Sequence, residues 1–420
     1  MSASAYTSRA SSPAPYSPLT SCPGTPATEA SSLFDLPDLA QYILVTGGLG
    51  FIGSHTAAEL LKSGYNVLIV DNCSNSHSDV FGRINQIADN HYASRPSARP
   101  EAKLFNVNYQ DMPSMQSLLD QYSSWTLRGD RESQIVGVIH FAAFKAVEES
   151  IRSPLKYYRN NITGLVDFLG LLEEYNIKKF IFSSSATVYG TIADRGLPLQ
   201  EENCVHSPTS YNSLEGSSVA AEQGCTGLTN PYGRTKFFGE AILADVAASD
   251  PAWTIIALRY FNPIGCDESG LLGEDPKGVP SNLLPVVTRV MTGQYAELKV
   301  FGDDWNTADG TAVRDFIHVT DLARGHIAAL TSAQQESLKQ NFRTFNLGTG
   351  CGYSVEQVAS TMEKVSGRAV PRRRVERRAG DVGSCVAVAG RAYTELGWKT
   401  EKTLDDACRD ICRFLKVNES

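Results

Sequence analysis

The chain of 420 residues has no apolar run long enough to cross a membrane; the longest near-continuous one, Ile135 to Phe144, is the size of a strand. It also lacks any C-x-x-C pair. Its nine cysteines are odd in number and thinly spread, which argues against a disulfide framework and predicts reduced thiols in the cytoplasm. The closest pair, Cys408 and Cys412, has helical i,i+4 spacing and reads as a buried helix face, so no metal site is expected. Excess positive charge is missing too. Lys and Arg number 38 against 46 Asp and Glu, leaving a net charge of −8. Such a field suits neither nucleic acid nor an anionic membrane. What remains is ordinary globular composition, with 42% apolar and 20% charged residues. The length fits two domains, or one large domain with additions.

Residues 1–40 stand apart. Ser, Thr, Pro and Ala fill 26 of these 40 positions, too few apolar groups to offset ordering entropy, so a disordered tail is expected. With one basic residue, Arg9, and no apolar core segment, the tail resembles neither a transit peptide nor a secretory signal. From Tyr42 onward, short apolar runs alternate with helical stretches. Tyr42–Thr46, Asn66–Val70, Ala102–Val107, Ile135–His140, Lys179–Ser184 and Thr254–Tyr260 are apolar almost throughout, as strands covered on both faces must be. They predict an α/β fold, a doubly wound parallel sheet with right-handed crossovers. The longest intervening helix is expected from Pro154 to about Tyr175. Residues 191–230 are too long for an ordinary connection and read as an insertion or a lid. After Phe261, the cluster Pro263, Gly265, Gly270, Gly273 and Pro276 marks entry into a smaller second domain. The divisions expected are thus 41–262 and 263–420, with 311–330 able to return to the first. No further catalytic domain is expected after Leu415.

The first strand runs into Thr46-Gly47-Gly48-Leu49-Gly50-Phe51-Ile52-Gly53 and then a helix. Gly47, Gly50 and Gly53 at three-residue spacing allow a tight turn, close approach to a pyrophosphate and close packing of helix on sheet. The second strand ends in Asp71, where a carboxylate can accept the hydroxyls of an adenosine ribose. Asn72 to Ser78 contains no Arg or Lys to neutralise a 2′-phosphate, so NAD is favoured over NADP.

Tyr232 and Lys236 form a Tyr-x-x-x-Lys pair on one face of a helix. Tyr175/Lys179 and Tyr295/Lys299 share that spacing, but only Tyr232 opens a helix after a strand ending in Ser183-Ser184-Ser185. A phenol has a pKa of about 10 and is a poor base at neutral pH. A neighbouring ammonium and an oxidised nicotinamide would favour the phenolate, with Ser185 orienting the substrate hydroxyl.

The glycine loop and the Tyr232/Lys236 pair resemble the extended short-chain dehydrogenase/reductase superfamily. Longer strings narrow the likeness. Phe141 to Val147, Phe182 to Gly190, Leu258 to Pro263, Asp309 to Val319, Asn346 to Gly350 and Arg377 to Val382 are similar to the UDP-glucose 4-epimerase family, over about Tyr42 to Leu415 with the 191–230 segment interrupting. The resemblance implies reversible epimerisation at C4 of a UDP-hexose. Tyr232 would take the 4-hydroxyl proton while NAD⁺ takes the C4 hydride. The 4-keto sugar would turn over and receive both back on its other face. It further implies tightly retained NAD, held by Phe51, Ile52, Asn72, Cys73, Ser74, Asn75, Ser76, Phe141, Ala142, Ala143, Lys145, Asn160, Phe261 and Val107. Asn106 stands where the family usually has an acid near the adenine amino group; its carbonyl can accept that bond without charge. A homodimer through the 154–175 helix and the helix opening at Tyr232 is also implied.

For the nucleotide sugar, the resemblance assigns Arg314 and Arg378 to the diphosphate, Asn262 and Asn282 to the diphosphate and sugar, and Phe301 to the uracil. Lys145 and Thr187 would bond the sugar and its phosphates, with Asp381 beside Arg378. Arg372 to Arg374 read as a solvated basic face. Cys385 occupies the place beside the sugar 2-substituent where some relatives carry tyrosine. A thiol there leaves room for an N-acetyl group; the alternative is a small buried thiol with no part in selectivity. A dehydratase or decarboxylase of the same superfamily would need an acid just after the strand-end serines, where Ala186 and Thr187 stand. A net oxidoreductase or a catalytically silent NAD sensor are the other readings, the last opposed by intact Ser185, Tyr232 and Lys236.

Overall fold

The computed structural model describes residues 40–206, 209–212, 216–221, 224, 227–280, 282–378 and 380–417. The expected disordered tail lies outside these residues. Seven strands build the main sheet: β1 (Tyr42–Thr46), β2 (Asn66–Val70), β3 (Ala102–Phe105), β4 (Ile135–His140), β5 (Lys179–Ser185), β6 (Thr254–Tyr260) and β7 (Phe342–Leu347). Their spatial order is β7-β6-β5-β4-β1-β2-β3, and every pairing is parallel. The order reverses between β1 and β4, the point where open α/β sheets bind ligands.

The apolar runs explain the sheet. Alternate residues go to opposite faces, and both faces are covered. Ile43, Val45, Val67 and Ile69 pack under α1 (Phe51–Lys62) on one side. Tyr42, Leu44, Leu68 and Val70 pack with Phe168 and Leu172 of α2 (Gly164–Glu174) on the other. The helix expected from Pro154 does form, but a π-helical turn at Arg159–Thr163 separates Pro154–Tyr158 from α2. The helix of the Tyr232/Lys236 pair is α3 (Pro231–Ser249), with Pro231 in its first turn and the Asn230 side chain accepting from Gly233 N at 2.8 Å. Helix α4 (Val319–Gln334) packs Leu322, Ala329 and Leu330 into the layer with Ile139, so the chain returns to the main sheet there and again at β7.

The remaining strands are short. Val313–His318 pairs with Asn262–Ile264 and Ser384–Cys385 in parallel and with Gly352–Ser354 antiparallel. Leu298–Phe301 pairs with Arg372–Val375. Their separate core holds Val287, Phe316, Met362, Ile411 and both Cys408 and Cys412, the last two on the buried face of α5 (Leu404–Phe414). The segment read as an insertion is anchored at its start: Leu199 bonds to Val386 and Val388, and Cys204 is 1% exposed. A hairpin follows, Thr209–Asn212 with Ser218–Ala221.

Candidate active site

Gly47 and Gly53 are glycines for a measurable reason. Gly47 has φ +69°, and a Cβ there would stand 2.8 Å from Ala142 N. A Cβ on Gly53 would meet Gly47 O at 2.3 Å. The loop and the first turn of α1 are therefore pressed together. Gly50 is the N-cap and no side chain caps the helix, so the N–H groups of Phe51, Ile52 and Gly53 face outward with the positive end of the helix dipole. Asp71 directly follows β2 beside this loop: Oδ2 accepts from Leu49 N at 2.9 Å, and Oδ1 from Cys73 N at 2.8 Å and Ser76 Oγ at 2.9 Å. Cys73 sits at φ +53°, which turns the 72–76 loop around the carboxylate. Asn72, Ser74 and Asn75 are exposed there. This cradle, a bare helix end with a carboxylate one strand away, fits a dinucleotide pyrophosphate and ribose.

The next wall follows β4. Phe141 N donates to Thr46 O at 2.9 Å, which sets Phe141, Ala142 and Ala143 against the glycine loop. Asn106 is exposed just beyond β3, and Val107 N donates to Phe105 O at 3.0 Å.

The chemistry-bearing groups meet where β5 ends. Ser185 Oγ accepts from Thr187 N at 3.2 Å and from Thr187 Oγ1 at 3.0 Å, and it lies near enough to the Tyr232 phenol to act on its proton. Burial pushes that phenol up to about 12, with the Ser185 bond pulling the other way. Lys236 is 4% exposed. Its Nζ donates to the Ser183 carbonyl and to Ser183 Oγ at 3.1 Å. Burial lowers the ammonium to about 7 while the Glu240 carboxylate raises it. Desolvation is the largest effect on both groups, and Lys236 donates to Ser183.

A residue that the sequence did not reveal holds this assembly. Asn161, in the π-helical turn, is 6% exposed. Its Oδ1 accepts from Phe144 N at 3.0 Å and Asn160 Nδ2 at 2.8 Å. Its Nδ2 donates to Phe144 O and Thr235 Oγ1, each at 3.0 Å. All four hydrogen-bonding positions of one amide are filled. The assigned neighbour Asn160 leans on it. No spacing signals this role, because its partners lie 17 and 74 residues away.

The nucleotide-sugar residues form a second group. Lys145 pairs with Glu274 at 3.2 Å, and Asn282 Nδ2 donates to the same oxygen at 2.9 Å; Glu274 is another residue missed from sequence. Phe261 is buried beside Ala186, Val188 and Ala387, with Cys385 packed against them. Asn262 Nδ2 donates to Asp315 O at 3.1 Å. Arg314 donates to Val313 O at 2.9 Å and stands in register with half-buried Cys385. Burial raises that thiol to about 11. Arg378 forks onto Asp381 at 3.0 and 3.2 Å, its guanidinium 5.2 Å from the Phe301 ring. The neighbouring arginines are spent on the surface: Arg372 on Glu356 and Glu363, Arg373 on Glu297 and Arg377 on Asp304.

A profile of the GDP-mannose 4,6 dehydratase family matches residues 44–411. The chain is 43% identical over 376 residues to a UDP-glucose 4-epimerase of Dictyostelium discoideum, covering 90% of this chain and 96% of that protein. To the human UDP-glucose 4-epimerase it is 41% identical over 382 residues, with 91% and 98% covered. The crystal structure of the Bifidobacterium longum UDP-glucose 4-epimerase, in complex with NAD⁺ and UDP, superposes with a TM-score of 0.75 at 42% identity. It covers 90% of this chain and 99% of that one.

Proposed function

The chain belongs to the UDP-glucose 4-epimerase family, and from that premise we propose how its own residues carry out reversible epimerisation at C4 of UDP-glucose and UDP-galactose. The enzyme is NAD-dependent. Bound NAD⁺ supplies a hydride acceptor at C4 and returns the hydride, so there is no net redox change. Tyr232 takes the proton from the 4-hydroxyl and gives it back; Ser185 orients that hydroxyl. Because burial holds the phenol near 12, the proton leaves only as positive charge from Lys236 and the nicotinamide gathers around the oxygen. Gly47, Gly50, Phe51, Ile52 and Gly53 grip the pyrophosphate, and Asp71 with the 72–76 loop grips the ribose. Asn106 and Val107 flank the adenine, and Phe141 to Ala143, Lys145, Asn160 and Phe261 complete the cofactor pocket. Thr187, Asn262, Asn282, Phe301, Arg314, Arg378 and Asp381 take the UDP-sugar.

The observation that carries this reading is the placing of Tyr232 and, one turn further along α3, Lys236 against the serines that end β5, one strand over from the reversal point between β1 and β4. The dehydratase in the family profile's name needs an acid after the strand-end serines; Ala186 and Thr187 supply none. The test is incubation of the purified chain with UDP-galactose and no added NAD, reading UDP-glucose. A requirement for stoichiometric NAD would turn the reading to an oxidoreductase, and bound NAD without turnover to a sensor.

Three finer readings accompany it. Cys385, small and aligned with Arg314, supports acceptance of UDP-N-acetylglucosamine and UDP-N-acetylgalactosamine. Exposed Leu155, Val166 and Phe238, at 67%, 48% and 41%, lie on the helices proposed for a homodimer. Free thiols at Cys73, Cys266, Cys351, Cys385, Cys408 and Cys412 support a cytoplasmic setting. No helix among the described residues is long and apolar enough to cross a membrane.

A further inference from the structure

Behind the reacting groups lies a buried charge cluster that the reaction itself does not use. Glu240, on α3 one turn beyond Lys236, is fully buried. Arg259 of β6, also fully buried, forks onto it: Nε to Oε1 at 3.0 Å and Nη2 to Oε2 at 2.6 Å. His206 Nε2 lies 2.8 Å from Oε2, and Ser184 Oγ donates to Oε1. Arg259 gives its other N–H groups to the Tyr189 hydroxyl at 3.1 Å and to the carbonyls of Glu201 at 3.0 Å and Cys204 at 2.7 Å. Two successive residues of β5 thus serve two partners: Ser183 holds Lys236 and Ser184 holds Glu240.

We propose that Glu240 is a positioning residue for the Tyr232/Lys236 pair, its carboxylate supplying the counter-charge to Lys236 and, through Ser184 and Arg259, fixing α3 against β5 and β6. This rests on the acid–base reading above. A buried ammonium with no carboxylate near it sheds its proton. Facing Lys236 are Ser183, the Phe182 ring 4.8 Å away, Tyr232 on the same helix and the buried neutral His140. Facing Glu240 are Arg259, His206 and Ser184. Of these groups only Glu240 is negative. His206 ties the 199–206 segment to the cluster, so that connection braces the catalytic helix.

Cys204, His206 and Glu240 also offer ligand atoms within 4.8 Å of one another, spacing open to a divalent ion. Arg259 argues for the ion pair instead, since its guanidinium already occupies both carboxylate oxygens.

The experiment compares the full-length holoenzyme with Glu240→Gln and Glu240→Asp by the pH dependence of kcat on UDP-galactose. The alkaline limb of Glu240→Gln should move to lower pH by about one unit, with KM changed less than twofold. Glu240→Asp keeps the charge, so its limb should stay in place even though stability falls. Should Glu240→Gln fail to accumulate, Arg259→Gln, in which His206 and Ser184 still hold the carboxylate, turns its full charge on Lys236, and its limb should move to higher pH. Superimposable limbs, or one equivalent of zinc per purified chain, would overturn the inference. Wild-type chain without epimerase activity would overturn the acid–base reading and this inference with it.

Discussion

Asn161 Nδ2 donates to Thr235 Oγ1 at 3.0 Å, across 74 residues of sequence. Thr235 lies between Tyr232 and Lys236 and passes its own hydrogen to the Tyr232 carbonyl at 2.8 Å. One amide therefore joins the wall of the cofactor cradle to the helix that carries the acid–base pair. The π-helical turn is the local cost of aiming that amide inward, and such turns recur at functional sites.

Removing the amide tests this joint. Asn161→Ala leaves Phe144 N–H and C=O without their partner in a part-buried setting. We expect a loss of about 2–4 kcal/mol in denaturant unfolding, with NAD content falling alongside. Unchanged stability would refute the clamp.

Tyr232→Phe removes the proton carrier and keeps the ring. We expect kcat to fall by roughly 10²–10⁴ while the purified variant still carries NAD. Nearly full turnover would end the role given to Tyr232.

The glycine loop makes a paired prediction. Gly53→Ala forces a methyl to 2.3 Å from a backbone oxygen, so bound NAD should be lost and stability reduced by about 1–3 kcal/mol. Gly82, within the helix Val80–Tyr92, has open space at its Cβ. Gly82→Ala should leave NAD content intact and stabilise by about 0.5–1 kcal/mol.

Acid should unfold this protein from the histidines first. Burial lowers His55 and His326 to about 4 and His140 to about 3. The folded chain keeps these rings neutral where the unfolded chain charges them, below about 6.5. In that window the unfolded state binds more protons, so stability falls as pH drops from about 6.5 towards 4. The slope reaches about 1.4 kcal/mol per pH unit for each ring. Denaturant midpoints at pH 7 and pH 5 measure it, and equal midpoints would contradict it.

Cys385→Tyr should abolish turnover of UDP-N-acetylglucosamine and spare UDP-galactose. Equal N-acetyl turnover before and after the change would leave the thiol without a selectivity role.

Local physics was written plainly in the chain. The apolar runs Tyr42–Thr46, Asn66–Val70, Ile135–His140 and Thr254–Tyr260 announce parallel strands, because burial on both faces removes the polar alternation. Gly47, Gly50 and Gly53 announce a phosphate turn, and Tyr232 with Lys236 a shared helix face, because each is a spacing within one or two turns. The sequence-marked strand Ala102–Val107 ends at Phe105, and the helix from Pro154 carries a π-helical turn that no propensity marks. What only the tertiary structure decided are the partners: Asn161 with Thr235, Glu240 with Arg259 and His206, Lys145 with Glu274, and β7 beside β6. Each joins residues from separate elements. A polar group buried by folding must find a partner wherever the packed layers bring one, and nothing in its neighbours along the chain says which.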